Sequence, residues 1–219
     1  MPSVSNIAVG ALVAGAAASK ARHGMNESIA RLSTGNRSVY GGDAGGQSVA
    51  NTLEARSKSW AIAARNAEDG ISAAQTAESS LLEIAALAQR LRELGIQADN
   101  AALLVDASDE AAMAAEAVAI ADAIDAIVAA SKFNGVSLLG ASAVSTNIGV
   151  TDDGGTVALK TTNGITAVTA ITTAAAADGS ADTTLQEVAI SLGHVAAGIA
   201  ALKGRQAVAY AASANLAAA

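Results

Sequence analysis

The side chains able to do chemistry in this chain are sparse, and their spacing decides what they can be. Two histidines, His23 and His194, stand far apart with no ligand cluster around either. A metal centre or a general base needs such partners close by. The stretch TDDGG (Thr151 to Gly155) offers two adjacent acids. It lacks the spaced acids and bidentate glutamate of a calcium loop, and reads as a hairpin turn. GGDAGG (Gly41 to Gly46) is flanked by helical patterns, where a dinucleotide fingerprint would follow a strand. Cysteine is absent, which removes thiolate catalysis, disulfides and cysteine-based metal sites together. These residues point to no enzyme, no cofactor and no metal. What remains is a polar set, Arg65, Asn66, Glu68, Asp69, Arg90, Arg92 and Glu93, whose chemistry is ion pairing and hydrogen bonding between surfaces.

Long helices must carry that set. From about Val49 to Ala98 an apolar row recurs every seven residues: Leu53, Trp60, Ala67, Ala74, Leu81 and Ala88. Ala64, Ile71, Ala77, Ile84 and Leu91 flank it, which predicts one long helix with a broad apolar stripe. Residues 3 to 33 read as an amphipathic helix, with Met25, Ile29 and Leu32 spaced four and three apart. Glycines at 35, 41, 42, 45 and 46 separate the two. A third helix, with Ser108 as its N-cap, carries Met113, Ala117, Ile120, Ile124 and Ile127. It ends at SKFNGVSLLG, where Asn134-Gly135 signals a turn. The runs VSTNIGV, TVALKTT and ITAVTAITT then predict two or three small antiparallel strands. Helical spacing returns at Leu185, Val188, Leu192, Val195, Ile199 and Leu202.

The pattern predicts a mainly α fold, an elongated antiparallel helical bundle or coiled coil of long rods with a small β-hairpin insert. Its expected parts are a terminal helical segment (1–33), rod helices (34–140), a β-rich insert (141–181) and a returning helix (182–219). Apolar residues make up 52% of the chain and aromatics only 2%. Most of the apolar count is alanine, which buries little area per residue, so long contacts and many neighbours must supply the missing burial. The composition leans towards self-association. A net charge of −7 excludes a basic footprint for nucleic acid. The N-terminal apolar run precedes its first positive charge, Lys20, the reverse of a cleaved secretory signal, and is too rich in Ala and Gly for membrane insertion.

Several motifs in order carry a resemblance. RNAEDGISAAQTAESSLLEIAALAQRLRELGIQA, the upstream MNESIARLSTGNRSVYGGDAGG and the downstream SKFNGVSLLG closely resemble the N-terminal core of bacterial flagellin, across roughly residues 1 to 140. LQEVAISLGHVAAGIAALKGRQAVAYAASANL resembles the family's returning helix less well. Lys203 and Gly204 stand there where the family has Gln and Asn, with Arg205 the polar match. Gly42 and Gly45 replace a common Asp and Ala, and the sequence stops at Ala219 before the family's second terminal helix.

The resemblance implies a structural subunit, exported through the flagellum's own channel without a cleaved signal and assembled into an extracellular filament for swimming. Its implied partners are further copies of itself in a helical homopolymer, the flagellar export apparatus and a chaperone, and hook-associated and cap proteins. The insert would be the remnant of the outward-facing variable region. Expected subunit contacts are Ile7, Leu12, Met25, Ile29, Leu32, Arg65, Asn66, Asp69, Arg90, Arg92 and Glu93. The resemblance also extends host Toll-like receptor recognition to Arg90, Leu94 and Glu116, with Gly95 replacing the usual Ala. Two other readings are a hook–filament junction protein and a surface-exposed binding protein; the second is weakened by an insert without Trp or Tyr for sugar stacking.

Overall fold

The computed structural model describes residues 3–35, 43–100, 107–162, 164–165 and 176–218. The chain divides into two units, Met1–Ala55 and Arg56–Ala219.

In the first unit, helix α1 spans Ser3–Thr34. Gly35 ends it with φ 68, its amide donating to the Arg31 carbonyl at 3.0 Å. That left-handed residue just past the last turn is a conformation glycine adopts without a Cβ penalty. Glu27 and Arg31 form an ion pair along the helix. Helix α2, Ala44–Ala98, starts earlier than the apolar row does. Asp43 explains the difference: its Oδ1 accepts from the Gly46 amide at 2.9 Å, capping the first turn and holding Gly45 and Gly46 inside the helix. The segment 36–42, with most of the glycine-rich interruption, lies outside the described residues.

The second unit holds the rest of α2, then α3 (Ala107–Ala130), β1 (Lys132–Phe133), β2 (Val136–Ser137), β3 (Val144–Gly149), β4 (Thr156–Thr162) and α4 (Ala177–Ala218). Ser108 lies within the first turn of α3 rather than at its cap, with Asp109 and Glu110 beside it. There the acids face the positive end of the helix dipole. Asn134 (φ 49) and Gly135 (φ 81) join β1 to β2, which pair antiparallel with Phe133 opposite Val136. Two successive positive φ values mark the turn type that matches strand twist. TDDGG connects β3 to β4, closed by the Val150 amide donating to Gly155 at 2.9 Å. Most of the expected third strand (166–173) lies outside the described residues.

Most of the α2 stripe packs inward, with Leu53, Trp60 and Ile71 half-buried. Ala67, Ala74, Leu81 and Ala88 are buried, as are Ala64, Ala77, Ile84 and Leu91. Contacts run in opposite directions along α2 and α4: Ser57 with Ser213, Glu68 with Gln206 and Tyr210, Arg92 with Asp182. The two helices are antiparallel. At Gly95 the first turn of α4 presses against α2, and a Cβ there would collide with the backbone nitrogen of Asp178. By composition α4 is long and apolar enough to cross a membrane, yet Val188, Val195 and Leu202 are spent on the core of its own unit.

Two findings differ from the sequence reading. The buried line of α4 is Ala181, Thr184, Val188, Ser191, Val195, Gly198 and Leu202, while Leu185, Leu192 and Ile199 are half-buried at its flank. The small positions exist because the hairpin fills them. A Cβ at Gly198 would come within 2.6 Å of Leu159 Cδ1, and Ser191 and Thr162 hydroxyls meet at 3.3 Å. The hairpin is accordingly core on one side: Val150, Leu159, Thr161 and Thr162 are buried, and Ile148 reaches the backbone of α2 at Gly70.

Candidate interaction surfaces

Helix α1 presents its apolar residues to solvent. Ile7 is 72% exposed, Leu12 78%, Met25 59%, Ile29 58% and Leu32 91%. Burying one such side chain contributes about 1.5–3 kcal/mol, so these residues are a reserve of association energy that their own unit does not use. Val9 and Val13 are exposed as well, on the other side of the helix.

On the second unit the polar set is largely engaged within the subunit. Arg90 grips Glu116 of α3 with two nitrogens, Nε at 3.1 Å and Nη2 at 2.8 Å, and reaches Glu93 through Nη1 at 3.2 Å. The hydrogen bond to Glu116, then that to Glu93, raises the Arg90 pKa above its ordinary value. Arg92 pairs with Asp182 of α4 at 2.9 Å. Asn66 donates to the Gly149 carbonyl at 3.1 Å, tying α2 to the hairpin. Arg65 is exposed, and Asp69 sits on the rim of a groove of about 420 Å³ lined by Gly70, Phe133, Val136, Ile148 and Leu159.

Leu94 is 1% exposed and belongs to the main core, unlike Arg90 and Glu116, which stand at the surface. The structure brings Arg90, Glu93 and Glu116 together; it does not bring Arg65, Asn66 or Asp69 to them.

Three pairings were not foreseen from sequence. Glu68 accepts from Tyr210 Oη at 2.6 Å and Gln206 Nε2 at 2.8 Å, and this bond to Glu68 raises the tyrosine pKa. Arg56 binds Asp152 in the β3–β4 turn at 2.7 Å. In that turn the Thr151 hydroxyl lowers the Asp153 pKa. Gln206 and Tyr210, four apart, share one helix face, but nothing in their spacing names Glu68 as their partner. Among the described residues no three His, Cys, Asp or Glu side chains converge as a metal site.

Comparison with known proteins gives a consistent result. Residues 6–144 match the profile of the bacterial flagellin N-terminal helical region. Flagellin A of Vibrio cholerae serotype O1 is 39% identical over 138 residues, 63% of this chain and 36% of that protein. A flagellin of Xenorhabdus nematophila is 37% identical over 162 residues, 73% of this chain and 51% of that protein. This chain thus spans about a third to a half of these relatives' lengths. A crystal structure of Bacillus cereus flagellin aligns with a TM-score of 0.48 at 24% identity, over 69% of this chain and 88% of that one.

Proposed function

Since this chain belongs to the bacterial flagellin family, we propose that it is a structural subunit that assembles with copies of itself into the extracellular filament of the flagellum. The observation that carries the proposal is the exposure of the large apolar residues of α1, Ile7, Leu12, Met25, Ile29 and Leu32. The work of such a subunit is association, so no catalytic residue is required. Small side chains such as Gly10 and Gly15, at which an added Cβ would meet nothing, let a neighbouring helix approach closely. In this reading the chain passes through the flagellar export apparatus, escorted by a chaperone and without a cleaved signal. Hook-associated and cap proteins bound the polymer at its ends. Exposed Arg65, Asp69, Arg90, Arg92 and Glu93 set register between copies. A host Toll-like receptor would read Arg90 and Glu116, held in place over Leu94.

Negative-stain microscopy of concentrated protein, with and without filament seeds, tests the reading. Long tubes are expected from the parent chain and none from a Leu12→Asp, Ile29→Asp double variant. Monodisperse particles from both would refute it, provided circular dichroism shows both folded.

A further inference from the structure

The chain contains two Asn-Gly pairs, Asn134-Gly135 and Asn163-Gly164. In this dipeptide the asparagine side chain is most open to attack by the next backbone nitrogen, because glycine puts no Cβ in the way. The two attacking nitrogens stand in opposite surroundings. Gly135 is exposed at the tip of β1–β2, and a Cβ there would meet nothing within 4 Å. Its amide makes no hydrogen bond among the described residues. Gly164 is buried, and its amide donates to the Thr162 hydroxyl at 3.0 Å. Thr162 is itself 0% exposed and meets Ser191 of α4. A Cβ on Gly164 would lie 2.8 Å from the Ala141 carbonyl oxygen, so the chain is closely packed on that side as well.

We propose that Asn134 is a site of spontaneous deamidation in the folded protein, and that the buried, hydrogen-bonded Gly164 amide spares Asn163 the same reaction. The Gly135 nitrogen gives up its proton and bonds to Asn134 Cγ. The bond from Cγ to the side-chain nitrogen then breaks, and ammonia leaves. The resulting five-membered succinimide is opened by water at one of its two carbonyls, giving aspartate or isoaspartate. One water is consumed, one ammonia is released, and nothing is oxidised or reduced. The attack needs the turn to relax from its left-handed geometry. Strands of two residues each, mostly exposed, resist such local opening weakly.

The product matters to the surface it sits on. Asn134 lines the same groove as Asp69, so deamidation adds a second carboxylate to that groove. The isoaspartate form also lengthens the main chain within a two-residue turn and disturbs the pairing of Phe133 with Val136.

Peptide mapping by mass spectrometry tests this after prolonged incubation of the whole chain at neutral pH. In the folded protein the Asn134 peptide should shift to the mass of the acid several-fold faster than the Asn163 peptide. In denaturant the two rates should converge, since only folding separates them. Equal rates in the folded chain, a faster reaction at Asn163, or an Asn134 peptide unchanged while the denatured control reacts would each overturn the proposal.

Discussion

At the level of single residues, the structure ties particular side chains to measurable titrations. The Tyr210 hydroxyl donates to Glu68, which raises its folded pKa above the ordinary 10.0. The stability this bond contributes is therefore fully present below pH 10.0 and is lost as pH rises through the raised value. Glu68→Gln should lower the Tyr210 midpoint in an ultraviolet titration, read in a Tyr40→Phe background; an unmoved midpoint would count against the bond. Asp153 behaves oppositely. Its pKa is depressed below 3.8 by the Thr151 hydroxyl, so its contribution is present above that pH and fades as acid takes the pH lower. Thr151→Val should raise the Asp153 midpoint seen by carboxyl-carbon NMR. Packing gives a sharper case. Gly198 faces the fully buried Leu159, so Gly198→Val should cost about 1–3 kcal/mol in urea denaturation. Leu94 shows what a resemblance leaves open: it transfers a position, but whether that position faces water depends on the packing of this chain.

The elements were legible in proportion to how local their signals are. Asn134-Gly135 fixes its own turn through positive φ values, and the seven-residue row of α2 marks a buried stripe before any partner is known. Helix α4 is the instructive exception. Val188, Val195 and Leu202 of the expected seam are buried, but the line is completed by Thr184, Ser191 and Gly198 in place of Leu185, Leu192 and Ile199. Ser191 and Gly198 face Thr162 and Leu159 of β4, a long-range relation that periodicity within one helix does not encode. The same holds for Glu68 with Tyr210 and Arg56 with Asp152, which are distant in sequence. If the hairpin is core, Leu159→Ala should destabilise the second unit by about 2–5 kcal/mol. Lys160→Ala, the exposed neighbour, should stay within about 0.5 kcal/mol. Circular dichroism against urea would separate the two, and a hairpin that merely decorates the helices would show no difference.

For the molecule as a whole, stability is distributed unevenly. The second unit concentrates the fully buried large residues, Leu81, Ile84, Leu91, Leu94, Ile124, Leu159 and Leu202. Helix α1 has its large apolar residues in solvent, and a helix without a packed face is marginal in water. Hydrogen exchange on dilute protein should therefore be fast along residues 7–34 and slow across 63–95, and assembly should slow the first range selectively. Equal protection in both ranges before assembly would show that α1 is held by something other than a neighbour. That contrast was foreshadowed by composition, because an alanine-rich chain with 2% aromatics has little to bury on its own.

Gly95 has a wider consequence than its size suggests. Where α4 meets α2 without an intervening side chain, that contact acts as the zero mark of a ruler. From it, Asp182 falls opposite Arg92, Gln206 and Tyr210 opposite Glu68, and Ser213 opposite Ser57. A slide of one residue displaces each pairing by about 1.5 Å, so the graduations are kept or lost together. Alignment of the two helices is thereby all-or-none, calibrated at one end by an absent methyl group.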